Sequence, residues 1–208
     1  CFCDINKIPY ERVEVNMYGG DLFKPEYKKI NPARQVPAMV EGDFILAESH
    51  TILRYLAASY NCPDNWYPAD LKQRSLVNQY LDWHHTNLRR GAFMTMKKLF
   101  IEPMFGKTAH KSELDELQKV LVNSLKFLNL KLSKHKYLCG DEPSIADISA
   151  VCEVNGLGML NTDLSLYPHL TQWFERMKSI PEVKVALDRM GVTSKMEDSS
   201  AKDLKAKI

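Results

Sequence analysis

Residues 31–56 read Asn31-Pro-Ala-Arg-Gln-Val-Pro-Ala-Met-Val-Glu-Gly-Asp-Phe-Ile-Leu-Ala-Glu-Ser-His-Thr-Ile-Leu-Arg-Tyr-Leu56. Two short apolar runs, Val36–Val40 and Phe44–Ala47, flank the polar turn Glu41-Gly42-Asp43, which is the pattern of a β-hairpin. From Glu48 the period becomes helical, with Ile52, Leu53, Leu56, Ala57 and Tyr60 on one face. Upstream, Arg12–Met17 alternates apolar and polar residues and predicts a half-buried strand. A turn around Gly19-Gly20 follows, and Pro25 opens a short helix to Ile30. The order is strand, helix, hairpin, helix, in a small mixed unit over residues 1–62.

Residues 63–69, with two prolines and the turn formers Asp64 and Asn65, predict a linker. Beyond it the signals are helical. Asp70–Phe105 reads as one long helix ended by Pro103 and Gly106. Leu114, Leu117, Leu121, Leu125, Leu128 and Leu132 form a helical stripe. Ser144-Ile-Ala-Asp147 is a capping box with Asp in place of the usual Glu or Gln. Pro168–Lys178 and Pro181–Met190 complete about five helices over residues 70–193, and residues 194–208 form a polar tail. The fold class is therefore α+β, a small mixed domain followed by an all-α domain.

The 208 residues carry 28 Lys+Arg against 26 Asp+Glu, a net charge of +2 that favours neither nucleic acid nor an anionic membrane as partner. No run reaches the ~18 apolar residues of a membrane span. Five scattered cysteines argue against a disulfide scaffold or a zinc site and fit a reducing, cytoplasmic setting. The chain opens on Cys1-Phe2-Cys3 inside an apolar run, so the expectation is that an earlier segment precedes it. Those two thiols read as buried and inert.

Three places could carry chemistry. Pro37 opens a strand, where it cannot donate to a ladder. A trans Val36–Pro37 bond makes it a loop proline; a cis bond turns the Val36 N–H and C=O outward for a peptide-like ligand. Glu48-Ser49 stands at the strand-to-helix turn, where helix N–H groups gather. It is either a plain N-cap or a clamp taking a carboxylate at Ser49 and an ammonium at Glu48. On the long helix, His85 and Arg89 are one turn apart and share a face. Arg89 suits an anionic group at a cleft, and His84 and His85 lack a third ligand for a metal. Met94 belongs either along such a pocket or in the core.

Together, in this order, these stretches resemble the cytosolic glutathione transferases. The quoted run 31–56, Trp66-Tyr-Pro68 and Ser144-Ile-Ala-Asp-Ile148 carry the resemblance, and Trp83-His-His-Thr-Asn-Leu-Arg-Arg90 is similar to the theta class. The resemblance implies a thioredoxin-like first domain, a helical second domain and a two-fold homodimer. It implies glutathione as co-substrate, with no metal, and a small hydrophobic electrophile as second substrate. The Val36 main chain would meet the cysteinyl part beside a cis Pro37. Glu48 and Ser49 would hold the γ-glutamyl end, Gln35 and Lys24 would lie near the glycyl end, and Arg89, His85 and Met94 would face the electrophile. The family's catalytic hydroxyl, a serine in theta-like members, matches a position upstream of Cys1 and is not among these residues. The alternative roles of the same fold are a protein-interaction module and a non-catalytic ligand carrier.

Overall fold

The structure is a computed structural model and describes residues 1–17 and 19–191. The predicted tail, 194–208, lies outside the described residues. The first unit holds α1 (Phe2–Ile5), α2 (Pro25–Ile30), β1 (Ala38–Glu41), β2 (Phe44–Ala47) and α3 (Ser49–Ser59). β1 and β2 pair antiparallel in the register Ala38↔Ala47 to Glu41↔Phe44, and Gly42 takes the turn at φ 58°. The hairpin and the helix after it are thus as the sequence read.

The strand predicted over Arg12–Met17 does not form: residues 8–16 carry neither helix nor ladder. An alternating segment is a strand only when a neighbour accepts its N–H and C=O groups. Among the described residues β1 and β2 pair only with each other, and Val13 is 76% exposed. Asn16 instead closes a turn, donating its N–H to Asp21 Oδ2 at 2.8 Å and accepting from the Asp21 N–H.

The expected linker packs against both units. Trp66 sits in the Asp64–Trp66 3-10 turn, is buried, and meets Phe2 edge-on at 5.6 Å. Asn65 donates to the Pro143 carbonyl at 2.6 Å.

The helical unit comprises α4 (Leu71–Thr86), α5 (Leu88–Met96), α6 (Lys111–Leu132), α7 (Ile145–Gly156), α8 (Pro168–Lys178) and α9 (Pro181–Arg189). The single helix expected over Asp70–Phe105 is therefore two, followed by a π turn (Lys97–Ile101) and a 3-10 turn (Glu102–Phe105). The break is Asn87, at φ −121° and ψ −88°. Its side-chain amide donates to the Trp83 carbonyl at 2.9 Å, taking the acceptor that a continuing helix would use. Apolar periodicity cannot report a side chain that competes with the backbone.

The leucine stripe of α6 is buried at Leu117, Leu121, Leu125, Leu128 and Leu132. α5 crosses it at Gly91, where an added Cβ would lie 2.7 Å from Leu121 Cα. The Ser144 box caps α7 as predicted: Ser144 Oγ accepts from the Ala146 N–H and Asp147 Oδ2 accepts from the Ser144 N–H at 3.0 Å. Asp147 is fully buried, and its Oδ1 also accepts from the Leu138 N–H at 3.0 Å and Trp173 Nε1 at 2.8 Å. Among the described residues no helix is long and apolar enough to cross a membrane.

Candidate functional site

A cavity of about 600 Å³ opens where α3 meets α4, α7 and α9. Its polar wall holds Ser49 and His50 from α3, His85 and Arg89 from α4 and α5, and Ser149 and Glu153 from α7. Ile52, Leu53 and Leu56 of α3 and Ile148 of α7 supply apolar lining. Ligand cavities have this composition, mostly apolar with a few convergent polar groups.

The loop before β1 is fixed from α2. The Gln35 carbonyl accepts from Tyr27 Oη at 2.6 Å and from Asn31 Nδ2 at 2.9 Å, while Asn31 Oδ1 takes the Ala33 N–H. The Val36–Pro37 bond that follows is cis, and Pro37 lines the cavity. Gln35 and Val36 are exposed beside it.

Glu48 is the residue before α3, at φ 70° and ψ 111°, a left-handed-region value that costs energy for a residue with a Cβ. No side chain caps this end of α3, so the N–H groups of its first turn stay available at the positive end of the dipole. Glu48 is exposed and Ser49 half-buried.

Arg89 is half-buried; its Nη1 donates to Glu153 Oε1, and its guanidinium lies 4.7 Å from the Phe93 ring centroid. His85 is exposed and stacks on His50 with centroids 4.1 Å apart. Met94 is half-buried and lies outside the cavity lining. It follows Arg89 by five residues, which turns it ~140° away around a helix. Lys24 is exposed outside the lining too, with Nζ bonded to Asp21 Oδ1 at 2.6 Å. One cavity thus gathers Pro37, Ser49, His85 and Arg89, with Gln35, Val36 and Glu48 flanking the first two in the chain.

Sequence reasoning passed over several lining residues, among them His50, Ser149 and Glu153. His50 is buried, and its Nε2 shares a 2.6 Å hydrogen bond with Ser149 Oγ, joining α3 to α7. Burial, with His85, Arg54 and Arg89 nearby, pushes the His50 pKa down to about 4. His84 lies below it, pushed down to about 2 by burial and the surrounding imidazoles, with Nδ1 at 3.2 Å from Tyr80 Oη. Both rings are neutral at pH 7. Burial raises the Glu153 pKa against the opposing pull of Arg89. Ser149 and Glu153 stand one turn apart on α7, so i,i+4 spacing could have paired them, although nothing local names their partners. Burial also raises the Cys3 and Cys152 thiols at the cavity, which fits inert sulfur. Among the described residues no group of His, Cys, Asp or Glu is arranged to hold a metal ion.

Both units match known proteins. Residues 2–59 match the model of the glutathione S-transferase N-terminal domain, and residues 92–181 that of the C-terminal domain. Glutathione S-transferase T1 of Arabidopsis thaliana is 38% identical over 186 residues, which cover 85% of this chain and 76% of that protein. Glutathione S-transferase T2 of the same plant is 39% identical over 183 residues, 84% of this chain but only 31% of that longer protein. The structure of human glutathione transferase theta-2 in complex with glutathione superposes with a TM-score of 0.85 at 28% identity, covering 92% of this chain and 81% of the other. With both domains matched in order and its relatives in the theta class, the chain belongs to the glutathione S-transferase family.

Proposed function

We propose that this chain binds glutathione and directs its thiolate onto small hydrophobic electrophiles. The observation that carries the reading is one cavity lined by Pro37 and Ser49 from the first unit and by His85 and Arg89 from the second. The uncapped start of α3 offers N–H donors and a positive dipole end to the γ-glutamyl carboxylate, with the Ser49 hydroxyl beside them. The exposed Glu48 carboxylate suits the α-ammonium. The free main chain of Val36 suits the cysteinyl peptide group, and Gln35 and Lys24 suit the glycyl carboxylate. The apolar wall of Ile52, Leu53, Leu56 and Ile148 receives the electrophile.

In the reaction the sulfur forms a bond to carbon as the leaving group departs with its electron pair, the thiol proton having gone to solvent. A free thiol has a pKa of ~8.5, and lowering it by two units requires ~2.7 kcal/mol of differential stabilisation. A hydroxyl donating to sulfur supplies part of that in the serine-bearing members of the family. Positive potential from the helix start supplies more. Positioning of the tripeptide against the apolar wall does the rest. The working unit is a homodimer, and the five free cysteines suit the cytoplasm.

The test is calorimetric titration with glutathione. Ser49→Ala and Glu48→Ala each remove a charge-assisted contact and are expected to weaken binding by about 10- to 100-fold. Unchanged affinity in both variants refutes the clamp. Retention on immobilised glutathione and turnover of an arylmethyl halide separate the roles of this fold: a carrier is retained without turnover, and an interaction module does neither.

A further inference from the structure

Resting on the transferase reading above, we infer that Glu153 sets which electrophiles the cavity accepts. By holding the Arg89 guanidinium in an ion pair, it favours uncharged substrates over those bearing an anionic group such as a sulfate ester. The Glu153 side chain is 11% exposed and that of Arg89 43%, so the carboxylate forms the floor and the guanidinium reaches the cavity above it. The other charge-capable neighbour of Glu153 Oε1 is His84 Nε2 at 4.0 Å, on a ring that burial keeps neutral. Arg89 is therefore the one cation that balances this carboxylate among the described residues.

An anionic group entering the cavity has two ways to meet Arg89. It can displace Glu153, leaving a buried carboxylate unpaired, or it can sit beside Glu153 and be repelled by it. The apolar wall keeps the local dielectric low and makes both costs larger. Neither cost falls on an uncharged electrophile. A second guanidinium at the cavity, that of Arg12, is also answered by a carboxylate. Arg12 bonds Glu14 at 3.0 Å. Discrimination of this kind rests on a repulsive element as much as on an attractive one.

The test compares the full chain with its Glu153→Gln and Glu153→Asp variants. Glutathione is saturating, and the electrophiles are an arylmethyl chloride and the arylmethyl sulfate with the same apolar body. The readout is the ratio of kcat/KM for sulfate to that for chloride within each protein, in which any inactive fraction cancels. Glu153→Gln is expected to raise that ratio about tenfold, whereas Glu153→Asp, which keeps the charge, leaves it near the parent value. A ratio unchanged in Glu153→Gln, or shifted as far in Glu153→Asp, overturns the inference. Titration of the same proteins with an arylmethyl sulfonate, without glutathione, should show tighter binding by Glu153→Gln; equal affinity overturns it independently. If the parent chain turns over neither electrophile, the transferase reading fails, and the sulfonate titration alone decides the role of Glu153.

Discussion

Asp147 shows how much one side chain can carry. It is fully buried, and its two oxygens take N–H donors from Leu138, Ser144 and Trp173 together with the Ser144 hydroxyl. Those donors come from the start of α7, the turn before it and α8, so one carboxylate fixes three segments. Each hydrogen bond to a charged group contributes roughly 1.5–3 kcal/mol, and truncation also leaves the donors unpaired. Asp147→Ala is expected to destabilise the protein by at least ~3 kcal/mol, or about 6–12 °C in Tm for a chain of this size. A calorimetric Tm within 2 °C of the parent, on the order of a surface change, would contradict this. The capping box was legible in Ser144-Ile-Ala-Asp147 because its bonds are local. The Trp173 indole was not, since no local pattern says which distant donor will share a buried oxygen. The same limit hid Ser149 and Glu153, whose partners stand 99 and 64 residues away in the chain.

At the level of elements, helical periodicity located α3 and α6, two apolar runs about a Gly turn located the hairpin, and α8 and α9 were read from Pro168 and Pro181 onward. Periodicity failed where a neighbour or a competing side chain decides the outcome. Residues 12–17 alternate like a strand yet have no paired edge, and Asn87 divides a continuous apolar period between α4 and α5. The division lets α5 run close against α6. Gly91 is the point of contact, where a Cβ would meet Leu121 Cα and N at 2.7 Å, both of them backbone atoms that no rotamer change can move. Helix propensity alone makes Gly→Ala favourable by ~1 kcal/mol. Overpacking against backbone outweighs that, at ~1–3 kcal/mol or more, so Gly91→Ala is expected to lower stability on balance. Urea unfolding that shows the variant more stable than its parent would mean that α5 and α6 can part freely.

On the scale of the whole molecule, the two units are joined through imidazoles. His50 of α3 bonds Ser149 of α7, stacks on His85 of α4 and meets His84 of α4 edge-on, with Arg54 and Arg89 the cations nearby. In the folded protein His50 titrates at about 4 and His84 at about 2, whereas an unfolded histidine titrates near ~6.5. Both folded values are depressed, so below pH ~6.5 the unfolded chain takes up protons that the folded chain refuses. The stabilisation from each neutral ring is complete above that pH and is lost as pH falls, for His50 down to about 4 and for His84 further still. Each ring contributes a slope of up to ~1.4 kcal/mol per pH unit. Urea unfolding at steps from about pH 7 to 4.5 should therefore show stability falling with acid beyond what carboxylate protonation produces. His50→Gln keeps a polar partner for Ser149 and removes one titrating ring, so its profile should be flatter by about 1 kcal/mol per pH unit below pH ~6. Parallel profiles for parent and variant would show that His50 accepts its proton inside the folded protein. The joint between the units would then tolerate a charge at the ring beside Ser49, and glutathione affinity would hold constant over the same range.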